Sequence, residues 1–337
     1  MSGDSTRDLP AGGPGWPGRR GSLLVVAFAY AAAAAAAWFV GSLPRSLDPL
    51  WTAAVADAAG TVAVFAFSLA LDNTSVYDPY WSVAPIPLAA WWAWGGPGDG
   101  ADPLRRAVVV GLVALWGVRL TWNWARSWDG LGDEDWRYVD VRRRTGPWYW
   151  PASFVALHAM PTVVVFLGLL SVHAATTAGG RPFGPLDGLA AAVTLAAIWV
   201  EATADRQLLR FVRSRPPRGT LLTRGLWARS RHPNYFGEIL FWWGLWLFAL
   251  AAAPQRWWWT LAGPVAITLL FRLVSLRLVE RRMRAGHPEY AARMRHVPAL
   301  VPWPWSRPRA AADASAAPPS GADGERRNAL PPTARGG

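Results

Sequence analysis

The 337-residue chain contains no cysteine and no lysine. The first absence excludes disulfides, thiolate chemistry and Cys-based metal sites. The second leaves arginine, whose planar fork suits carboxylate and phosphate, to carry all 34 positive charges. Acid is scarce as well, with 22 Asp and Glu and a formal net charge of +12. GxxxxGK[ST] and a GxGxxG following a strand are both missing, which excludes the two common soluble nucleotide folds. No short-period repeat, heptad or collagen pattern occurs, and His158 and His173 stand alone without a metal-ligating constellation.

What is present is apolar: 52% of residues are hydrophobic and 24 are tryptophan. Eight runs approach the length needed to cross a hydrocarbon core of about 30 Å. They are Ser22–Val40, Leu50–Leu71, Trp81–Trp94, Ala107–Trp124, Ala152–Ala174, Leu186–Glu201, Phe236–Ala253 and Trp257–Leu276. The third and sixth are short, so the expectation is an all-α polytopic transmembrane helix bundle of seven or eight spans. Residues 21–305 form its single membrane domain. Residues 1–20 and 306–337, rich in Pro, Gly, Ala and charge, read as disordered tails.

The net charge could suit nucleic acid, but the arginines cluster beside the apolar runs. Eight lie from Arg206 to Arg231, six from Arg119 to Arg144 and nine from Arg272 to Arg309. With eight spans these regions share one side, which the positive-inside rule makes cytoplasmic, with both termini, in the cell membrane. The connections bearing Arg45, Arg105, Arg106, Arg181 and Arg256 then face outward.

Polar residues concentrate in the same basic segments. In "RSRHPNYFGE", Pro233 suits the first turn of a helix, and Arg229 and Arg231 beside that helix start make a candidate phosphate site. Asn234 and Glu238 are four apart on one face, and ionisable groups inside a span mark function. Glu201 and Asp205 share a face of the preceding helix and can pair with arginine or hold hydroxyls. In "WGVRLTWNWARSWDGLGDEDWRYVDVRRR", tryptophans read either as an interfacial belt or as a lid in which Arg119, Arg126 or Arg137 grips phosphate. "DNTSVYDPYWS" brings together Tyr77, Asp78 and Tyr80, a turn that also offers a proton donor. The last basic segment reads as a helix on anionic lipid, which does not require its Glu280 or Tyr290.

"NYFGE", preceded by Asp205 and followed by a basic helix with Glu280 and Tyr290, resembles the steroid 5-alpha-reductase C-terminal domain. "WGVRL" followed by "GDEDWRY" is similar to its uncharacterised bacterial membrane branch, a domain of unknown function. The resemblance covers roughly residues 60 to 305. It implies an NADPH-dependent reduction of a carbon–carbon double bond conjugated to a carbonyl in a lipophilic substrate, and so a role in lipid metabolism. By that resemblance Asp205, Arg229, Arg231, His232, Asn234, Tyr235 and Glu238 line the cofactor site. Glu280, Tyr290 and Arg295 join from the tail, and Arg119, Arg126, Arg137 and Tyr138 from the lid, with Tyr77, Asp78 or Tyr80 supplying the acid. The family's N-terminal glutamine–glutamate pair and catalytic tyrosine have no clear counterpart. "RHP" also resembles sterol C14 reductases and the S-adenosylmethionine-dependent membrane methyltransferases of isoprenylcysteine or phospholipid. Asn234, Glu238 and the many arginines favour the reductase. A transporter or non-catalytic membrane protein fits the span count but not the one-sided polar density.

Overall fold

The computed structural model describes residues 16–43, 47–96, 100–217 and 219–302. Arg45, residues 1–15 and residues 303–337, which hold most of both expected tails, lie outside the described residues. Among those described there is no strand, and the fold is the expected all-α bundle.

Helix α1 (Arg19–Ser42) begins inside the segment expected to be a tail and packs along α2 (Pro49–Ala70). A short helical stretch follows: α3 (Tyr80–Val83), α4 (Pro85–Ala90) and a π-helical turn at Trp91–Gly95. Next come α5 (Pro103–Ser127), α6 (Trp136–Thr145), α7 (Tyr149–Ser153), a second π turn at Phe154–Ala159 and α8 (Met160–Thr177). Then follow α9 (Pro185–Arg213), α10 (Pro233–Ala252), α11 (Trp257–Thr260), α12 (Ala262–Leu270), a third π turn at Phe271–Ser275, α13 (Leu276–Gly286) and α14 (Tyr290–His296).

Among the described residues, six helical runs are long and apolar enough to cross a membrane: Arg19–Ser42, Pro49–Ala70, Trp136–Thr177, Pro185–Arg213, Pro233–Ala252 and Pro254–Gly286. Six of the apolar sequence runs fall within or largely overlap these. The other two do not: Trp81–Trp94 falls in the short, interrupted stretch of α3 and α4, and Ala107–Trp124 falls in α5, which carries four arginines. Phe28, Trp38, Trp122, Trp199 and Trp258 are 66, 76, 62, 61 and 67% exposed, whereas Asp57, Arg105, Asp187, Glu201 and Glu238 are buried. This inside-out distribution suits a bilayer, where polar side chains face the bundle interior.

The most extensive helix contact is between α9 and α10. A Cβ on Gly237 would collide with Glu201 and the Ala197 carbonyl, and one on Gly244 with Thr194. These glycines are seven residues apart on one face of α10, so the two backbones approach along a seam of small residues. Trp116 of α5 closes the core, stacked on Phe241 of α10 with ring centroids 4.6 Å apart.

Helices α5 and α9 are joined at two levels. Arg105 Nε and Nη2 donate to Asp187 Oδ1 and Oδ2 at 2.7 and 2.8 Å, and Nη1 and Nη2 also donate to the Arg181 and Pro182 carbonyls at 2.9 and 3.0 Å. Fourteen residues further along both helices, about 21 Å at the rise of an α-helix, Arg119 pairs with Glu201. The equal spacing means that α5 and α9 run parallel. Arg105, expected in a connection between spans, lies within α5 and is fully buried.

Removing one partner of a satisfied buried pair strands the other charge. Asp187→Ala is expected to cost about 3–5 kcal/mol, seen as a lower thermal midpoint in detergent, with most of the loss recovered in an Arg105→Met, Asp187→Leu double variant. An unchanged midpoint for Asp187→Ala would remove the pair from any role in stability.

Candidate functional site

Three helices contribute one polar stripe each to a common junction. Trp116, Arg119 and Asn123 recur on α5 at i, i+3 and i+7; Glu201 and Asp205 on α9 at i and i+4; Asn234, Glu238 and Trp242 on α10 at i, i+4 and i+8. Arg119 lies 2.6 Å from Glu201 Oε2 and 2.9 Å from Asp205 Oδ2. Glu238 accepts from the Trp116 and Trp242 indole N–H groups at 2.9 and 2.8 Å and its carboxyl is within hydrogen-bonding reach of Glu201. The Asn234 side chain meets Asp205. Its Oδ1 is buried with no hydrogen-bond partner, as are Arg119 Nε and Arg126 Nε. Leaving such atoms unmatched is costly, so this junction is not internally satisfied as the Arg105 pair is.

A second cluster fixes the loop before α10. Arg231 reaches Glu280 on α13 at 2.7 Å, and His232 Nε2 lies 3.2 Å from the Tyr290 hydroxyl and 3.4 Å from Glu280. The Arg231 and His232 backbone N–H groups donate to the Pro298 and Ala299 carbonyls at 2.9 and 3.0 Å. Burial holds the His232 imidazole below its ordinary pKa, opposed by Glu280, and burial pushes the Tyr290 phenol up to about 12. Arg231, His232, Glu280 and Tyr290 are thus bonded to one another. They shape the loop rather than project from it. Tyr235 stacks on His232 with centroids 5.4 Å apart and lies within electrostatic reach of Arg137, Asp135 and Asp205, so it links the loop to the junction.

Around the start of α6, Arg137 forks onto Asp135 at 2.8 and 3.1 Å and is half-exposed, while the Tyr138 hydroxyl donates to Asp78. Asp78 is therefore joined to the expected lid and not to Tyr77 or Tyr80. Its carboxyl is raised to about 7, first by burial, with Arg137 opposing and Asp135 adding.

The two tyrosines face a different group, Asp57 on α2. Tyr80 OH donates to Asp57 Oδ1 at 3.2 Å. Tyr77 OH, Thr162 Oγ1 and Thr61 Oγ1 form a chain with steps of 2.8 and 2.9 Å that ends at the Asp57 carbonyl, 2.9 Å from Thr61. A carbonyl only accepts, so each hydroxyl upstream donates toward it. The single Tyr77 proton is committed to Thr162 and that of Tyr80 to Asp57; of the two phenols, Tyr80 is the one that lines a pocket. Asp57, Tyr80, Trp81 and Thr162 line a small pocket completed by Ala84, Pro85, Val165 and Leu169. Trp81 in turn meets Trp116, with ring centroids 5.8 Å apart, so the pocket adjoins the three-helix junction.

Of the remaining sequence candidates, Arg126 is half-buried, Arg229 is exposed after the turn Gly225–Ala228, and Arg295 is exposed on α14. Among the described residues no group of three metal-ligating side chains occurs. The sequence reading missed Asp57, Trp116 and Trp242. Asp57 carried a signal, being an acid in the middle of an apolar run; the tryptophans, among 24 in the chain, carried none.

For Asp78 the folded carboxyl titrates near 7 and the unfolded one near 3.8. Its stabilising contribution is present below the unfolded value and lost as pH rises through about 7. The stability difference between wild type and Asp78→Asn is expected to shift against wild type as pH rises from about 3.8 to about 7, the window separating the two values. Parallel pH profiles would show Asp78 to be ionised throughout.

Comparisons with known proteins follow the same segment of chain. The chain is 28% identical over 239 residues, 65% of its length and 69% of the relative's, to the "Uncharacterized protein C594.04c" of Schizosaccharomyces pombe (strain 972 / ATCC 24843). No solved structure matches it. A family model described as "Protein of unknown function (DUF1295)" matches residues 64–297, which contain the three π turns, the three-helix junction and the Arg231 loop. The chain belongs to the DUF1295 family.

Proposed function

We propose that this is a membrane-embedded, NADPH-dependent reductase of a carbon–carbon double bond conjugated to a carbonyl in a lipophilic substrate. The observation that carries this reading is the contact of two unlike polar sites through Trp81 and Trp116. One is a junction beside basic segments with unmatched buried polar atoms; the other is a phenol–carboxyl pair at a pocket with apolar walls. The resemblance of "NYFGE" to the steroid 5-alpha-reductase domain supports the same assignment.

The first site fits a dinucleotide. Asn234 Oδ1 needs a donor, and a carboxamide or ribose hydroxyl supplies one. Asp205 can accept from a second hydroxyl. Arg126, with its unmatched Nε, together with Arg137 and Arg229, would neutralise phosphate oxygens. When bound, the reduced nicotinamide supplies a hydride equivalent. In the second site Tyr80 holds a proton at its hydroxyl and Asp57 orients it. That proton can pass to a substrate oxygen or carbon entering from the bilayer. Glu238, both oxygens already engaged by indoles, positions Trp116 between the two sites. By the positive-inside rule the arginine-rich face and both termini are cytoplasmic in the cell membrane.

Cofactor binding to the folded state raises the thermal midpoint. NADPH is expected to stabilise the detergent-purified protein where S-adenosylmethionine does not, and Asn234→Ala to weaken that binding by about fivefold to tenfold. Stabilisation by S-adenosylmethionine alone would replace the reading with a methyltransferase, and no response to either would leave a non-catalytic membrane protein or transporter.

With a lipid enone, Tyr80→Phe is expected to spare NADPH binding but slow reduction about 100-fold or more, whereas Tyr77→Phe retains most turnover. The reverse ranking would assign the proton to Tyr77.

A further inference from the structure

The last apolar run ends in a feature that the proposed reaction does not use. On α13, Arg277, Arg281 and Arg284 recur at i, i+4 and i+7, which places them on one helix face, and all three are exposed. Like charges at this spacing repel one another. Glu280, the one carboxylate from Arg277 to Arg284, shares this face by spacing, but its carboxylate is engaged by Arg231 at 2.7 Å and lies 3.4 Å from His232. Arg282, on the other side of the helix, lies over the Trp136 ring at 4.2 Å and docks α13 against the start of α6.

Beside the arginine stripe, Leu273, Val274 and Leu278 are 46, 43 and 37% exposed. Apolar side chains and uncompensated arginines therefore lie next to each other at the end of the run Pro254–Gly286, which is long and apolar enough to cross a membrane. A soluble anion would match the arginines and leave the apolar side chains in water. A phospholipid matches both, its phosphodiester on the guanidinium groups and its acyl chains against the leucines and valine.

The geometry points to a binding site for an anionic phospholipid on the outer face of α13, with Arg277, Arg281 and Arg284 gripping the headgroup. The site is independent of the proposed reductase chemistry. A basic side chain near an anionic headgroup contributes on the order of fivefold in affinity, so three give a selectivity that a binding measurement resolves.

The test uses the full chain in neutral detergent, with short-chain phosphatidylglycerol and phosphatidylcholine as probes and the thermal midpoint as readout. Wild type is expected to prefer phosphatidylglycerol, and the R277Q/R281Q/R284Q variant to lose at least tenfold of that preference. An R210Q/R213Q variant, altered at exposed or terminal arginines of α9, is expected to keep it. Equal preference in wild type and the triple variant would overturn the site, as would an equal loss in the α9 variant, which would reveal only a general charge effect. Equal stabilisation by sodium phosphate would overturn the lipid and leave a simple anion site. Should the triple variant fail to fold, salt decides on wild type alone. The preference must shrink from roughly 0.05 to 0.5 M salt, where screening shortens to a few ångströms, and a preference indifferent to salt would overturn the arginine grip.

Discussion

Close approach of α9 and α10 is the constraint on which the rest depends. Gly237 and Gly244 let the α10 backbone sit against Ala197, Glu201 and Thr194, and that approach brings two carboxyl side chains, Glu201 and Glu238, together in the interior. In hydrocarbon such a pair persists only where other groups bond to it. Here Arg119 takes one side and two indoles the other. Trp116 and Arg119 are both on α5, so the seam between two helices dictates where the third must stand.

The two joints between α5 and α9 show what separates a structural ion pair from a site. At Arg105 the guanidinium is bidentate to Asp187, and two carbonyls accept from Nη1 and Nη2. All three guanidinium nitrogens are engaged within the protein. At Arg119, on the same two helices, the guanidinium is shared between Glu201 and Asp205, its Nε is unmatched, and so is Asn234 Oδ1 nearby. Composition is similar at both ends and burial is only somewhat less at Arg119 and Asp205, so hydrogen-bond satisfaction is the main difference. A buried donor or acceptor without a partner carries a free-energy cost that a bound group can remove, which directs attention to the Arg119 end.

Much of the fold was legible because apolar runs and helix faces are local properties. The start of α10 at Pro233 and the shared face of Asn234 and Glu238 follow from sequence spacing alone. Partner choice is not local. Arg231, His232, Glu280 and Tyr290 read as ligand groups in the sequence, yet they bond to one another across a separation of 49 to 58 residues. Tyr80 read as an acid beside Asp78, whereas its carboxyl partner is Asp57, 23 residues earlier on α2. A polar residue in a strongly apolar segment is visible in sequence, but which other helix satisfies it depends on packing that no spacing rule encodes.

Trp116 couples the two halves of the site. Its N–H is fixed by Glu238, its face lies on Phe241, and it touches Trp81, the residue following Tyr80. A buried aromatic held on three sides cannot shift without moving at least one neighbour, because interiors are close-packed. A change at Glu238 therefore reaches the Tyr80 pocket through a rigid ring rather than through a flexible loop. The Arg231 loop reinforces this. By tying the start of α10 to α13 and to the carbonyls of residues 298 and 299, it fixes the end of the helix that carries Asn234 and Glu238. The polar stripe of α10 is thus anchored at its N-terminus by hydrogen bonds and further along by packing.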